Sequence, residues 1–160
     1  MLKNNKGFTL IELIAVVTIM AIIALIATPN IISMIDNGNK EKYISDAKDF
    51  ISKASYMYNL DKYKSEEEKV FESTVNGSRI NLENIEKLDE MEDPYGNKYD
   101  YKNSYIVIRD ETVNDVMQRR ARIYLISCDK DEPTKCYRIG DVENPVLESD
   151  LNNDSVEKVK

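Results

Sequence analysis

Apolar residues are spread unevenly along this chain. From Leu13 to Ile35 run 23 residues without a charge, broken in polarity only by Thr18, Thr28, Pro29, Asn30 and Ser33. After Gly38 the apolar positions thin to a period: Ile44, Ala47, Ile51, Ala54 and Tyr58 recur at spacings of 3, 4, 3 and 4, with lysines and aspartates on the other faces. That spacing predicts an amphipathic helix. The simplest reading is one long helix from Phe8 to about Leu60, bent at Pro29 and loosened around Asn37-Gly38. Its first half is apolar on every side, and its second half presents the stripe to a folded domain.

The remainder is patterned differently. Asp61 to Lys69 is charged and reads as a loop, Asn76-Gly77 as a turn, and Asn81 to Leu88 as one short helix with Leu82 and Ile85 on one side. Asp93-Pro94-Tyr95-Gly96-Asn97 is a turn by composition. Ser104 to Asp110, Ala121 to Cys128 and Cys136 to Val142 are rich in β-formers and predict three short strands. The polar tail after Glu148 reads as loose. The expected fold is α+β: a long N-terminal helix, membrane-spanning in its first half, packed on a small antiparallel β-sheet head.

The first 35 residues do not read as a cleaved secretory signal. The basic start (Lys3, Lys6) fits one, but the apolar stretch exceeds the roughly 7–15 residues such signals use, and no A-x-A boundary follows it. As a helix, Leu13 to Ile35 would extend about 35 Å, enough for a hydrocarbon core of about 30 Å. Lys3 and Lys6 would hold the N-terminus in the cytoplasm and place the rest of the chain outside. Three details exceed what an anchor needs. Gly7 sits where the charges stop, Glu12 puts a carboxylate near the start of the apolar run, and Pro29 removes a helical hydrogen bond inside it.

Those residues carry a resemblance. Lys6-Gly7-Phe8-Thr9-Leu10-Ile11-Glu12-Leu13 is similar to the processing motif of type IV prepilins and the related pseudopilins. The resemblance implies that a prepilin peptidase cuts after Gly7 and methylates Phe8 as the new N-terminus. It implies that Glu12 matches the glutamate pairing with a neighbouring subunit's terminal amine, and that the helix can lose order at Pro29 when subunits pack. The domains then divide as a leader at 1–7, a transmembrane and filament-core helix at 8–35, the second half of the helix at 36–60 and a globular head at 61–160. The Asp93 turn also resembles a segment of major pseudopilins and some pilins.

Composition narrows the chemistry. The chain has no histidine and no tryptophan, which removes the commonest general base and metal ligand. No catalytic residue and no cofactor is assigned, and no enzyme activity is expected. Removing Lys3, Lys6 and Glu12 from the 22 basic and 29 acidic residues leaves 20 and 28 beyond Ile35, close to −8. A head of that charge is a poor general ligand for nucleic acid. Cys128 and Cys136 match no C-x-x-C redox or zinc pattern, and no second pair completes a four-ligand site. In an exported chain they read as a disulfide, and many pilin heads close a C-terminal loop in that way. Asp129, Asp131 and Glu132 read as a solvated acidic turn rather than a cation site.

The resemblance implies a structural subunit of a type IV pilus that polymerises through its helix after leader cleavage. The alternatives are a pseudopilin of a type II secretion or DNA-uptake (competence) system, and a membrane-tethered binding protein that never polymerises. The partners implied are other copies of itself, other pilins, the prepilin peptidase, the pilus assembly platform and the membrane. The location implied is a single-pass membrane precursor, then the cell-surface pilus.

Overall fold

The computed structural model describes residues 8–85, 88, 91–132 and 134–159. Helix α1 spans Leu10–Asp61 and passes through both Pro29 and Gly38 without interruption. The chain divides at Gly38 into two compact units. In the first, every described residue up to Ile35 except Ala27 is exposed, including Ile22, Leu25 and Ile26. This length of α1 is long and apolar enough to cross a membrane.

The second unit carries the sheet. Its strands are β1 (Glu72–Thr74), β2 (Gly77–Asn81), β3 (Lys98–Tyr99), β4 (Tyr105–Val113), β5 (Val116–Cys128), β6 (Cys136–Ile139), β7 (Val146–Leu147) and β8 (Val156–Val159). They form one antiparallel sheet of order β1-β2-β4-β5-β6-β8, with β3 and β7 also pairing with β5. Strand β5 is the spine. Alternate residues of β2, β4 and β5 face α1: Ile80, Ile106, Ile108, Ala121, Ile123 and Leu125 are buried there with Ile139 of β6. Opposite them α1 lays down Tyr43, Ile44, Ala47, Phe50, Ile51 and Ala54. Burying each large apolar side chain stabilises the head by about 1.5–3 kcal/mol. Phe50 stands edge-on to Tyr99 with ring centroids 5.4 Å apart, the arrangement aromatic quadrupoles favour.

Four sequence expectations change in the structure. The short helix expected over Asn81–Leu88 is a single 3-10 turn at Leu82–Asn84, and Leu88 is not helical; Glu86 and Lys87 lie outside the described residues. The backbone N–H groups of Leu82 and Glu83 donate instead to Ser104 O and Tyr101 O, each at 3.0 Å. Strands β4 and β5 extend well past the expected ends because charged residues pair across the ladder. Arg119 Nε lies 2.9 Å from Asp110 Oδ1, and Asn114 and Asp115 close the hairpin with φ of 52° and 60°, the left-handed pair of a primed turn. Strand β6 ends at Ile139 rather than Val142, where Gly140 turns the chain at φ 71°. The tail is ordered: Leu151 and Val156 are buried, Asn152 and Ser155 form a capping box, and β8 pairs along β6.

Elsewhere polar side chains fix the loops. Asp61 ends α1, where a negative charge meets the negative end of the helix dipole. It is held there by accepting from Val70 N (3.1 Å) and Phe71 N (3.2 Å), which ties the returning loop to the helix. Gly77 opens β2 at φ 132°, and a Cβ there would lie 2.6 Å from Ile108 O, so only glycine lets the strand approach.

Candidate functional site

The residues singled out at the N-terminus meet at the first turn of α1. Gly7 lies outside the described residues. Phe8 is 90% exposed and precedes the helix. Thr9 caps it. Glu12 Oε2 accepts from Thr9 N and from Thr9 Oγ1, both at 2.8 Å, while Glu12 N donates back to Thr9 Oγ1 at 3.3 Å. This is the reciprocal Thr-x-x-Glu capping box, which satisfies backbone donors that the helix start leaves open. Sequence reasoning passed over it, although the signature is present in Thr9-Leu10-Ile11-Glu12. Both contacts fall on Oε2; among the described residues Oε1 accepts no hydrogen bond. The carboxylate therefore has one oxygen committed to its own helix and one available. The first turn does not pair Glu12 with Phe8.

Pro29 lies inside the helix and supplies no N–H, so the Leu25 carbonyl lacks its usual donor. Side chains on either side of the gap bond to the neighbouring carbonyls. Thr28 Oγ1 donates to Ala24 O at 2.6 Å and Asn30 Nδ2 to Ile26 O at 3.4 Å. One turn and more upstream, Thr18 Oγ1 donates to Ile14 O at 2.8 Å. Thr18, Thr28 and Asn30 thus satisfy themselves on their own backbone, which an apolar surrounding favours.

The cysteines sit in the head. Cys128 and Cys136 are opposite each other in the β5–β6 register and are disulfide-bonded. The bond closes the loop that holds Asp129, Asp131 and Glu132. Asp129 Oδ1 accepts from Asp131 N (2.8 Å) and Glu132 N (3.2 Å), and these two donors hold its carboxyl below the usual range. Among the described residues no group of three or more acidic or cysteine side chains is placed to hold a metal ion.

Two buried polar clusters lie under the sheet. The Asp93 carboxylate accepts from Tyr95 N (2.8 Å), Asn97 N (2.7 Å) and Ser127 Oγ (2.5 Å), and Gly96 takes φ 83° to complete the turn. Tyr43 donates to Tyr137 O at 3.0 Å and lies 3.1 Å from Ser127 Oγ, linking α1 to the turn and to β6. Beside it, Tyr99 donates to Asp46 Oδ2 at 3.0 Å, and Lys42 pairs with the same carboxylate. Burial drives both phenols, Tyr43 and Tyr99, well above the usual tyrosine range. Such fully partnered clusters fix how a helix docks on a sheet.

Residues 2–28 match the family model described as the prokaryotic N-terminal methylation motif, which is the leader motif of type IV pilins and pseudopilins. Beyond that motif, no curated protein and no solved structure matches the chain.

Proposed function

We propose, from a chain that carries the leader motif of type IV pilins and pseudopilins, that this protein is a structural subunit of a type IV pilus. On this reading residues 1–7 are a leader removed by the prepilin peptidase, Phe8 becomes the methylated N-terminus, 8–35 is first a membrane span and then filament core, 36–60 carries the helix into the head, and 61–160 is the surface-exposed head. The observation that carries the reading is the predominantly apolar surface of α1, exposed up to Ile35 at every described residue but Ala27. An apolar surface of that extent needs lipid or other copies of the same helix. Glu12 fits assembly through its divided carboxylate: Oε2 caps its own helix, and Oε1 accepts the terminal amine of an incoming copy. No Lys or Arg lies between Phe8 and Asn39, so the amine created at Phe8 is the cation that processing supplies. Leaving such a carboxylate unpaired in the packed filament costs on the order of 3–5 kcal/mol, which favours one register over sliding.

A pseudopilin of a type II secretion or DNA-uptake system is the second reading, favoured by the Asp93 turn. The two share leader processing, so the first test addresses both. Intact-mass and N-terminal peptide analysis of surface-assembled protein should show residues 1–7 missing and one methyl on Phe8. Assembled protein that retains the leader overturns the reading. Long fibres labelled by an antibody to the head separate the pilus from the short pseudopilus.

A further inference from the structure

The net charge of the head conceals a strongly basic face. The chain has six arginines, and the sheet register brings five of them to the side away from α1. On β4, Ile106 and Ile108 face the helix, so Tyr105, Val107 and Arg109 face outward. Arg79 pairs with Val107, and Val107 with Arg122, which sets Arg79 and Arg122 on either side of β4, about 10 Å apart at two strand spacings. Arg109 and Arg120 are opposite each other in the β4–β5 ladder, and Arg138 lies further along on β6. Arg79, Arg109 and Arg122 line an open groove of about 580 Å³ with Asn76, Tyr105 and Glu143.

The partners of these arginines decide what the groove can do. Arg119, the sixth arginine, is consumed on the opposite side by Asp110, Asn59 and the Tyr58 ring. Arg138 is paired with Glu157 at 3.2 Å. In the groove the neutralisation is weak. Arg109 Nε is 3.8 Å from Glu111 Oε1, and Arg122 makes no ion pair among the described residues. Glu143 is the one carboxylate among the lining residues. Arg120 shares Glu111 with Arg109, at 4.0 Å, and Asp141 accepts from Glu143 N and Asn144 N at the rim. Four guanidinium groups against these three carboxylates leave a small local excess of positive charge inside an acidic head, and guanidinium forks match phosphate oxygens two at a time.

The aromatic floor limits the ligand further. The Arg79 guanidinium covers the Tyr105 ring at 3.9 Å, the Tyr105 hydroxyl donates to Val142 O at 2.6 Å, and Tyr124 packs against the same ring. Tyr105 is the one aromatic among the described residues that line the groove, and it is buried. It therefore offers no open face for a nucleobase to stack on, and stacking is what single-stranded nucleic acid binding relies on. The groove is thus built to read backbone charge and not bases.

We propose that the Arg79–Arg109–Arg122 groove binds a base-free phosphodiester polymer, holding successive phosphates between β2 and β5. The proposal is independent of whether α1 polymerises, since every residue in it belongs to the sheet. The test uses the full chain in lipid nanodiscs with fluorescent poly(glycerol phosphate), titrated at about 50 and about 200 mM salt, where each lost phosphate contact lowers the salt slope by about 0.7. The double variant R109Q/R122Q, verified as folded by its thermal midpoint, should bind at least tenfold more weakly and lose about 1.4 in slope. Arg138→Gln, on the same face but outside the groove, should bind as the native chain does. Failure of the native chain to bind the polymer, or native-like binding by the folded double variant, overturns the proposal. Equal or tighter binding of single-stranded DNA, or of polygalacturonate as a carboxylate polymer, overturns the assignment to a base-free phosphodiester.

Discussion

The two halves of α1 share one backbone geometry and differ in what surrounds them. Between Phe8 and Ile35 the apolar residues cover the whole circumference and remain exposed. Between Tyr43 and Ala54 they narrow to a stripe that is buried to a few per cent against the sheet. The difference is one of solvent. A stripe with charged flanks is the solution for a helix with water on one side and a core on the other. A helix apolar all round has no stable place in water, so its stability depends on lipid or on other copies. The polar residues follow the same division. In the head, Asp46 and Asp93 make long-range bonds that fix tertiary structure, and Asp61 ties the returning loop to the helix end. In the first half, Thr18, Thr28 and Asn30 bond to their own helix four residues back.

Substitutions should separate the two halves. Phe50→Ala removes a ring buried among Tyr99 and Tyr101 and should lower the unfolding free energy of the head by about 3–5 kcal/mol, read by chemical denaturation of the full chain in detergent. Reducing Cys128–Cys136 releases a loop of sequence separation 8 and should cost roughly 2–3 kcal/mol on the chain-entropy account. Free-thiol labelling of the native protein should detect nothing until reductant is added. Tyr99→Phe strips a buried donor from Asp46 and should cost about 1–3 kcal/mol. The smallest effect belongs to the first half: Ile22→Ala, at an exposed position, should leave head stability within about 0.5 kcal/mol.

The buried phenols add a pH dependence confined to the head. Tyr43 and Tyr99 are raised above their unfolded value by burial first, then by nearby acidic groups, Asp93 for Tyr43 and Asp46 for Tyr99. Their contribution is fully present below the unfolded value of about 10. It is lost as pH rises from there toward the folded values, because only the unfolded chain ionises. At the acid end, Asp110 is lowered by hydrogen bonds from Lys62 and then Arg119. Its stabilisation is present above about 3.9 and is lost as pH falls through the folded value. Unfolding midpoints should therefore fall above about pH 10, and less so in Tyr99→Phe than in the native chain. An alkaline limb unchanged by Tyr99→Phe would contradict this assignment.

How much of this was legible beforehand varies with the range of the interaction. The stripe at Ile44, Ala47, Ile51 and Ala54 could be read because a helix repeats locally. The strands expected at Ser104 to Asp110 and Ala121 to Cys128 stop short of the β4–β5 hairpin because its turn is Asn114-Asp115, without glycine, and its arms are charged. Those arms are stable through pairs such as Asp110 with Arg119, which become visible only once the register is known. Asp46 and Ser127 act over long sequence separations and leave no local signal. Strand β8 was hidden by its polar residues, since two valines at its ends suffice to add it to β6. At the N-terminus the Thr9–Glu12 cap is local and is written in the sequence as Thr-x-x-Glu. The arginine groove was illegible for the opposite reason. Arg79, Arg109 and Arg122 are dispersed in sequence, and the whole-head charge points the other way.

On the proposed function, Glu12 serves assembly through its charge and not merely through its cap. Glu12→Gln separates the two, since glutamine can complete a capping box but cannot pair with an ammonium. The decisive measurement is the number and length of fibres on cells expressing Glu12→Gln, with leader cleavage checked by mass. If the charge is what counts, Glu12→Gln gives cleaved, membrane-inserted protein with few or no fibres, close to the outcome for Glu12→Val and below that for Glu12→Asp. Fibres of native number and length from Glu12→Gln would contradict it, and would assign Glu12 to the helix cap alone.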